Sequence, residues 1–456
     1  MKKTLSLLLA VIILASSLCL LPYGVGQAYV GVTSAETPIN NATLLFAKKF
    51  GGNYKAAPTP PVVVGDTVLV VSGVKLYKLD AKTGEEIASV KMQGTTLYTT
   101  TSPIYADGKV FVALDDGIVQ AFDYETMKSL WVYSDSIGGQ AISPITYDNG
   151  YIYTGFWVDE TEYANYVCLS VKDENTKSET ESKSAKWTYK ALGGFYWAGG
   201  FVTDKYVIVG KDDGKKNSEN SSKIISIDKS TGKTVSSLNV SGDIRSSVVY
   251  SAETDAYYAS SKSGYIYKFS MDSSGKLSSL KTYTASGSVT ATPVICGGRL
   301  YAGSQNGTAG KFVVLDAKTM KEIYSSDMQG YPQASMLVST GYVEATGKVY
   351  IYSTYNAKLG GITVFEDSKG QTSAVKTELY TPESDMQQYC ISTISVGVDG
   401  TLYYKNDSGN IFAVGEKSSQ EKEPEENNSE VKLNFFQKII AAIKNFFAKI
   451  KSIFTK

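Results

Sequence analysis

Short apolar runs alternate with turn-forming residues along most of this chain, and the alternation itself recurs. Each copy reads as an apolar strand, an Asp-Gly-type turn, a second strand, another turn, and a strand closing on Asp before a Thr-Gly-type turn. The clearest copy is Pro61-Val62-Val63-Val64-Gly65-Asp66-Thr67-Val68-Leu69-Val70-Val71, continuing as Lys75-Leu76-Tyr77-Lys78-Leu79-Asp80-Ala81-Lys82-Thr83-Gly84-Glu85. A second runs from Ser102-Pro103 through Asp107-Gly108-Lys109-Val110-Phe111-Val112 to Ala121-Phe122-Asp123. Apolar, β-branched runs bounded by Gly and Asp read as strands.

Aligned on Asp80, the equivalents are Asp123, Ser170, Asp228, Ser270, Asp316, Glu366 and Gly415, at spacings of 43, 47, 58, 42, 46, 50 and 49 residues. Repeats of this length predict an all-β fold, an eight-bladed β-propeller of four-stranded blades spanning 43–414. The eighth repeat ends at Ile411-Phe412-Ala413-Val414 without an outer strand, and an unassigned strand at 43–50 precedes the first. Placing that strand beside the eighth repeat closes the ring and removes an open sheet edge. The Ser/Glu/Lys-rich stretch from Lys172 to Lys186 reads as a solvated loop inserted in repeat three.

The ends follow other patterns. Met1-Lys2-Lys3, an apolar run from Leu5 to Leu21 and the small residues Gly26 and Ala28 predict a secretory signal over 1–28. An N-terminal lead follows at 29–42. Residues 415–430, with two Lys and six Glu, read as a disordered acidic linker. Residues 431–456 hold six Lys and no acid. At 100° per residue, Phe435, Phe436, Ile440, Ile443, Phe447, Ile450 and Phe454 share one helix face, and Lys438, Lys444 and Lys449 lie on the other. This basic amphipathic helix is suited to an anionic membrane or wall polymer. Together the ends predict a secreted protein associated with the cell envelope.

Composition narrows the chemistry. The 456 residues include no His, so imidazole general bases and His-built nucleophile triads are excluded. Lys+Arg and Asp+Glu both number 45, and the zero net charge argues against nucleic acid as a partner. Cys168, Cys296 and Cys390 lie in separate repeats and read as buried strand cysteines. Asp115-Asp116-Gly117 and Asp212-Asp213-Gly214 lack the spaced oxygens of a calcium loop and read as turns.

In a propeller, loops entering each blade gather at one mouth of the channel, with the middle hairpin loops around them. In repeats three and four these loops are rich in aromatics and amides. Gln140 precedes blade three, whose middle loop holds Phe156 and Trp157; Phe195, Tyr196 and Trp197 precede blade four. Tyr98, Tyr331, Gln333, Gln388 and Tyr389 occupy other entry loops. Arg245 precedes blade five and is placed to face the channel, whereas Arg299 follows Gly297-Gly298 in a turn and reads as exposed. Aromatic faces beside glycines and amides suit a protein or glycan ligand. Trp131 and Trp187 recur as Trp-x-Tyr in outer strands and read as blade packing.

The repeats "PVVVGDTVLVV…LYKLDAKTGEEI", "SPIYADGKVFVALDDGIVQAFDYETMKSLWVY" and "TPVICGGRLYAGS…FVVLDAKTMKEI" resemble those of the PQQ-repeat, quinoprotein-like β-propeller family. The family includes PQQ- and Ca²⁺-dependent dehydrogenases and non-catalytic members such as the Gram-negative outer-membrane assembly lipoprotein, whose lipobox is not matched here. The dehydrogenases imply an Asp base, a carboxylate and Asn group on Ca²⁺, an Arg on the quinone and commonly an adjacent-Cys disulfide. This chain has no Cys-Cys pair and only Arg245 and Arg299. The reading is a non-catalytic binding or scaffolding module with no cofactor, the alternative being a quinoprotein oxidoreductase using PQQ and Ca²⁺.

Overall fold

The computed structural model describes residues 31–51, 57–96, 101–216 and 222–416. The proposed signal and C-terminal helix lie outside them, as do Tyr98 and residues 417–430 of the proposed linker; Gly415, placed at the start of that linker, instead ends the last strand. Eight sheets follow one another along the chain, each built on four antiparallel strands, which run in chain order from the channel outward in blades 1 to 7. In blade 1 these are Val62–Val64, Thr67–Ser72, Lys75–Asp80 and Glu86–Lys91. Blades 2 to 7 span 104–134, 146–192, 201–240, 249–284, 294–328 and 337–380. Blade 8 joins three strands over 395–415 to β2 (Thr43–Lys49), which pairs Thr43 with Gly415 and Lys49 with Asn410. The seam closes as the sequence predicts.

The repeated Asp has a clear physical task. It ends the third strand and receives the hydroxyl and amide of the following turn. Asp80 Oδ1 accepts the Thr83 amide at 2.8 Å and its hydroxyl at 3.1 Å. Asp123, Asp228 and Asp316 do the same with Thr126, Thr231 and Thr319. In blade 5 the task belongs to Asp272, which accepts from Ser274 and Lys276, rather than to Ser270. The residue after this Asp offers its carbonyl to the preceding blade. Ala81 O receives the Tyr403 hydroxyl, Lys229 O the Trp187 indole and Ala317 O the Tyr258 hydroxyl, at 2.7–2.9 Å. The turn glycine has a φ of +71° at Gly84, and a Cβ there would lie 2.6 Å from the Phe46 ring of blade 8. Only glycine permits both.

Nearer the channel, hydroxyls tie neighbouring blades. Thr101 donates to Ile142 O, Ser143 to Ala198 O, Ser260 to Ala291 O, Thr354 to Ser392 O, and Ser395 to Pro61 O across the seam. These bonds satisfy backbone carbonyls that blade stacking removes from water. Apolar clusters fill the wedges between adjacent blades, with Trp131 and Trp187 in two of them.

Two features depart from the sequence reading. The insert in blade 3 is not wholly a solvated loop, because Glu181–Lys183 pairs in parallel with the outer strand of blade 2, Ser129–Ser134. Lys183 is buried there, bound to Glu174 and Glu181, with its ammonium 5.5 Å from the Trp131 ring. The lead is also built in. β1 (Val32–Thr33) pairs in parallel with the innermost strand of blade 7, Leu337–Ser339. Thr37, buried below it, donates to the Tyr352 hydroxyl at 2.7 Å.

Candidate functional site

The alternating strands send two sets of connections to opposite faces. The Asp turns crowd one face; the entry loops and middle loops share the other. Over blades 2 to 4 the latter loops are stitched by backbone hydrogen bonds. Gly117 N donates to Gly139 O at 2.6 Å, Gln140 and Trp157 exchange two bonds at 2.8 and 3.0 Å, Gly193 N donates to Glu162 O, and Phe195 N to Phe156 O. The result is a preformed surface.

At its centre is Arg245, buried in the entry loop of blade 5. Its Nη2 lies 2.6 Å from Asp212 Oδ2, 3.3 Å from Glu160 Oε1 and 3.4 Å from Asp243 Oδ2. Lys262 reaches the same Glu160 oxygen at 3.1 Å. The guanidinium carbon is 4.3 Å from the centre of the Tyr196 ring. Tyr196 in turn meets Trp157 at 4.9 Å and Trp197 at 4.8 Å between centroids, both edge-on. The middle loops of blades 3, 4 and 5 and the entry loop of blade 5 thus converge on one ion-pair network, with Tyr196 reaching it from the entry loop of blade 4.

Three carboxylates, Glu160, Asp212 and Asp243, meet Arg245 and Lys262 in this network, and Asp212 and Asp243 are buried. Burial pushes the Asp212 carboxyl up to about 7, against the pull of Arg245 beside it. Burial raises Asp243 as well, offset by the Asp213 amide that it accepts. Trp197 adopts a φ of +56°. Such a backbone is a strained exception for a bulky residue, held by its surroundings.

The sequence-predicted residues divide three ways. Gln140, Trp157, Tyr196, Trp197 and Arg245 come together at this mouth. Phe156 and Phe195 are fully buried and offer a ligand no surface; Phe156 stacks on Tyr133 and Phe195 packs at a tilt against Tyr166 inside the wedges. Tyr331, Gln333 and Tyr389 belong to blades 7 and 8, across the ring. Asn356 donates to both the Tyr331 hydroxyl and Gln333 Oε1 at 2.8 Å, and Tyr389 is exposed. Arg299 is not an exposed turn residue. Its guanidinium meets the buried Asp367 of blade 7 at 2.7 Å, where Tyr301 and Tyr324 also donate. Sequence reasoning missed Glu160, Asp212, Asp243 and Lys262: Asp212 reads as an ordinary Asp-rich turn, and no local pattern marks the other three.

These residues do not fit a Ca²⁺-bound quinone. The mouth carboxylates are engaged by Arg245 and Lys262, and among the described residues no three Asp, Glu or Cys side chains come together to hold a metal ion. Cys168, Cys296 and Cys390 form no disulfide. Burial pushes the Cys168 and Cys390 thiols up to about 12, so they remain protonated.

Comparison with known proteins places this architecture. No curated protein matches the chain significantly. Among solved structures, BamB from Moraxella catarrhalis is similar over 82% of this chain and 100% of its own, at 14% identity and a TM-score of 0.57. A quinohemoprotein alcohol dehydrogenase from Comamonas testosteroni is similar over 90% and 82%, at 14% identity and a TM-score of 0.62. The computationally designed Ika8 protein is similar over 80% and 98%, at 13% identity and a TM-score of 0.54. At such identities the likeness is one of fold. A family model described as outer membrane protein assembly factor BamB matches residues 40–156 and again 155–422, nearly the whole propeller. The chain belongs to that PQQ-repeat β-propeller family.

Proposed function

We propose that this protein is a non-catalytic binding or scaffolding module of the cell envelope, which takes a protein partner at its loop mouth. The carrying observation is how the mouth uses its charge. Its buried ionisable groups are consumed in holding loops together, while Trp157, Tyr196 and Trp197 remain partly open on a preformed surface. Rigid aromatic side chains of this kind are the usual anchors of protein interfaces. Envelope location rests on the predicted signal and on the family, whose model is named for outer membrane protein assembly.

Photocrosslinking tests the reading. A photoreactive residue at Tyr196 should capture a defined envelope protein, and one at Val398, exposed on the opposite face, should not. Capture only from Val398 would overturn it. So would stoichiometric quinone uptake with dye reduction after adding PQQ and Ca²⁺. Trp157 and Trp197, which both meet Tyr196 edge-on, also favour a second reading, a glycan ligand. A glycan array with the wild type, Trp157→Ala and Trp197→Ala checks this: any binding must be lost in the variants.

The tail supports a tether. On anionic vesicles the full mature chain should float, and a chain ending at Glu416 should stay at the bottom. Equal behaviour of the two would remove the tether.

A further inference from the structure

We propose that the loop mouth responds to pH: a proton taken up by Asp212 hands Arg245 from the middle loop of blade 4 to that of blade 3 and resets the aromatic side chains above it. The inference deepens the mouth-binding reading, on which its consequence for a partner rests.

Arg245 is shared between two loops. Its Nε lies 3.2 Å from both Asp212 oxygens, and its Nη2 lies 2.6 Å from Oδ2. The same Nη2 is 3.3 Å from Glu160 Oε1, on the middle loop of blade 3, and 3.4 Å from Asp243 Oδ2, on its own loop. An ionised carboxylate only accepts hydrogen bonds, a protonated one presents an O–H donor, and a guanidinium stays charged throughout. Protonation of Asp212 therefore removes the acceptor nearest Arg245 and leaves Glu160 and Asp243 to hold it.

The surroundings of Asp212 decide where the proton binds. Arg245 and Asp243 face it from the entry loop of blade 5, Lys262 from the middle loop of blade 5, and Glu160 from blade 3 through the shared Nη2. Tyr196 covers the guanidinium from the entry loop of blade 4. On Asp212's own loop, the Lys211 ammonium bonds the carbonyls of Leu192 and Asp212, and the Asp213 amide donates to Asp243 Oδ1. Asp212 is buried, and burial brings its carboxyl up to about 7 against the pull of Arg245. The chain has no His, so no imidazole competes for this range.

The aromatic side chains carry the change to the surface. Tyr196 lies 4.3 Å from the Arg245 guanidinium and meets both Trp157 and Trp197 edge-on. Trp157 stands three residues before Glu160, on the loop that takes Arg245 over. The cation–π contact with Tyr196 weakens as the guanidinium moves off the ring. Protonation switches act through an element with two arrangements, and Arg245 between Asp212 and Glu160 is such an element.

Fluorine NMR on the full mature chain tests this. Fluorotryptophan at the four Trp positions gives four resonances, assigned with single Trp→Phe variants. From about pH 5 to about pH 9, those of Trp157 and Trp197 should shift together along a one-proton curve with a midpoint of about 7. Trp131 and Trp187, buried between blades, should stay in place and certify that each variant is folded. Asp212→Asn should abolish the shift, and Glu160→Gln should shrink it at Trp157. Static Trp157 and Trp197 resonances overturn the proposal. The same titration in Asp212→Asn does so too, since it would belong to another group such as Lys211. The measurement needs no partner. Static resonances beside a partner captured at Tyr196 remove the proton response and leave mouth binding; a titration without capture does the reverse.

Discussion

Arg245 Nη2 sits 2.6 Å from Asp212 Oδ2, joining the entry loop of blade 5 to the middle loop of blade 4 inside the protein. Both residues are buried, so neither charge can fall back on water. Removing one member of such a pair costs about 3–5 kcal/mol, whereas replacing both by apolar groups is often neutral. Arg245→Met should destabilise the propeller by about that amount in chemical denaturation. Arg245→Met with Asp212→Leu should recover part of the loss, because Glu160 and the buried Asp243 still lack the guanidinium. If the single and double variants unfold alike, the pair is not what holds these loops.

Acid–base behaviour follows from two opposed groups of carboxylates. Bonds from Thr83, Thr126, Ser230, Ser274 and Thr319 hold Asp80, Asp123, Asp228, Asp272 and Asp316 below the usual carboxylate range. Their stabilisation is complete above about pH 4 and is lost as pH falls through their folded values. Asp212 has the opposite sign. Burial raises it to about 7, so the folded protein keeps a proton that the unfolded chain has lost. Its contribution is present below about pH 4 and is lost as pH rises to about 7. Stability should therefore be greatest in weak acid and fall towards neutrality. Thermal melts across pH should show a smaller slope between about 5 and 7 in Asp212→Asn.

Blades 6 and 7 are locked at Asp367, whose buried carboxylate accepts from Arg299 at 2.7 Å and from Tyr301 and Tyr324 at 2.8 Å. Tyr301→Phe deletes one charge-assisted bond and should cost about 1.5–3 kcal/mol. Asp367→Ala strips the half-buried Arg299 of its carboxylate and Tyr301 and Tyr324 of their acceptor, and should cost more, about 3–5 kcal/mol. Equilibrium unfolding in urea ranks the two, and the reverse order would show that Arg299 finds water instead.

Gly400 tests the built-in lead. It has a φ of +84°, and a Cβ there would lie 1.9 Å from Glu36 O. Gly400→Ala should push the lead away and expose the Val338 and Thr340 amides, which bond Gly31 O and Thr33 O, to hydrogen exchange. Gly370→Ala carries a similar φ, +90°, with nothing within 4 Å, and should cost only the backbone strain of about 1–2 kcal/mol. Identical exchange in the two variants would mean that the lead is not held there.

The sequence by itself determined the blades, their number and the seam. Strand alternation, the Asp turn and its glycine are local signals, and each blade repeats the same local problem. The third strand of blade 5 shows where that logic slips: Asp272, two positions beyond the aligned Ser270, takes the turn. Tertiary structure alone decided which mouth residues act together. Glu160, Asp212, Arg245 and Lys262 are up to 102 residues apart and meet only because successive blades bring their loops to one face. It also decided that Phe156 and Phe195 are core while the neighbouring Trp157 and Tyr196 are not, since adjacent residues of an irregular loop follow no period. The lead and the 181–183 strand were hidden for the same reason. Their partners, Leu337–Ser339 and Ser129–Ser134, are set by the ring rather than by any pattern within the segments themselves.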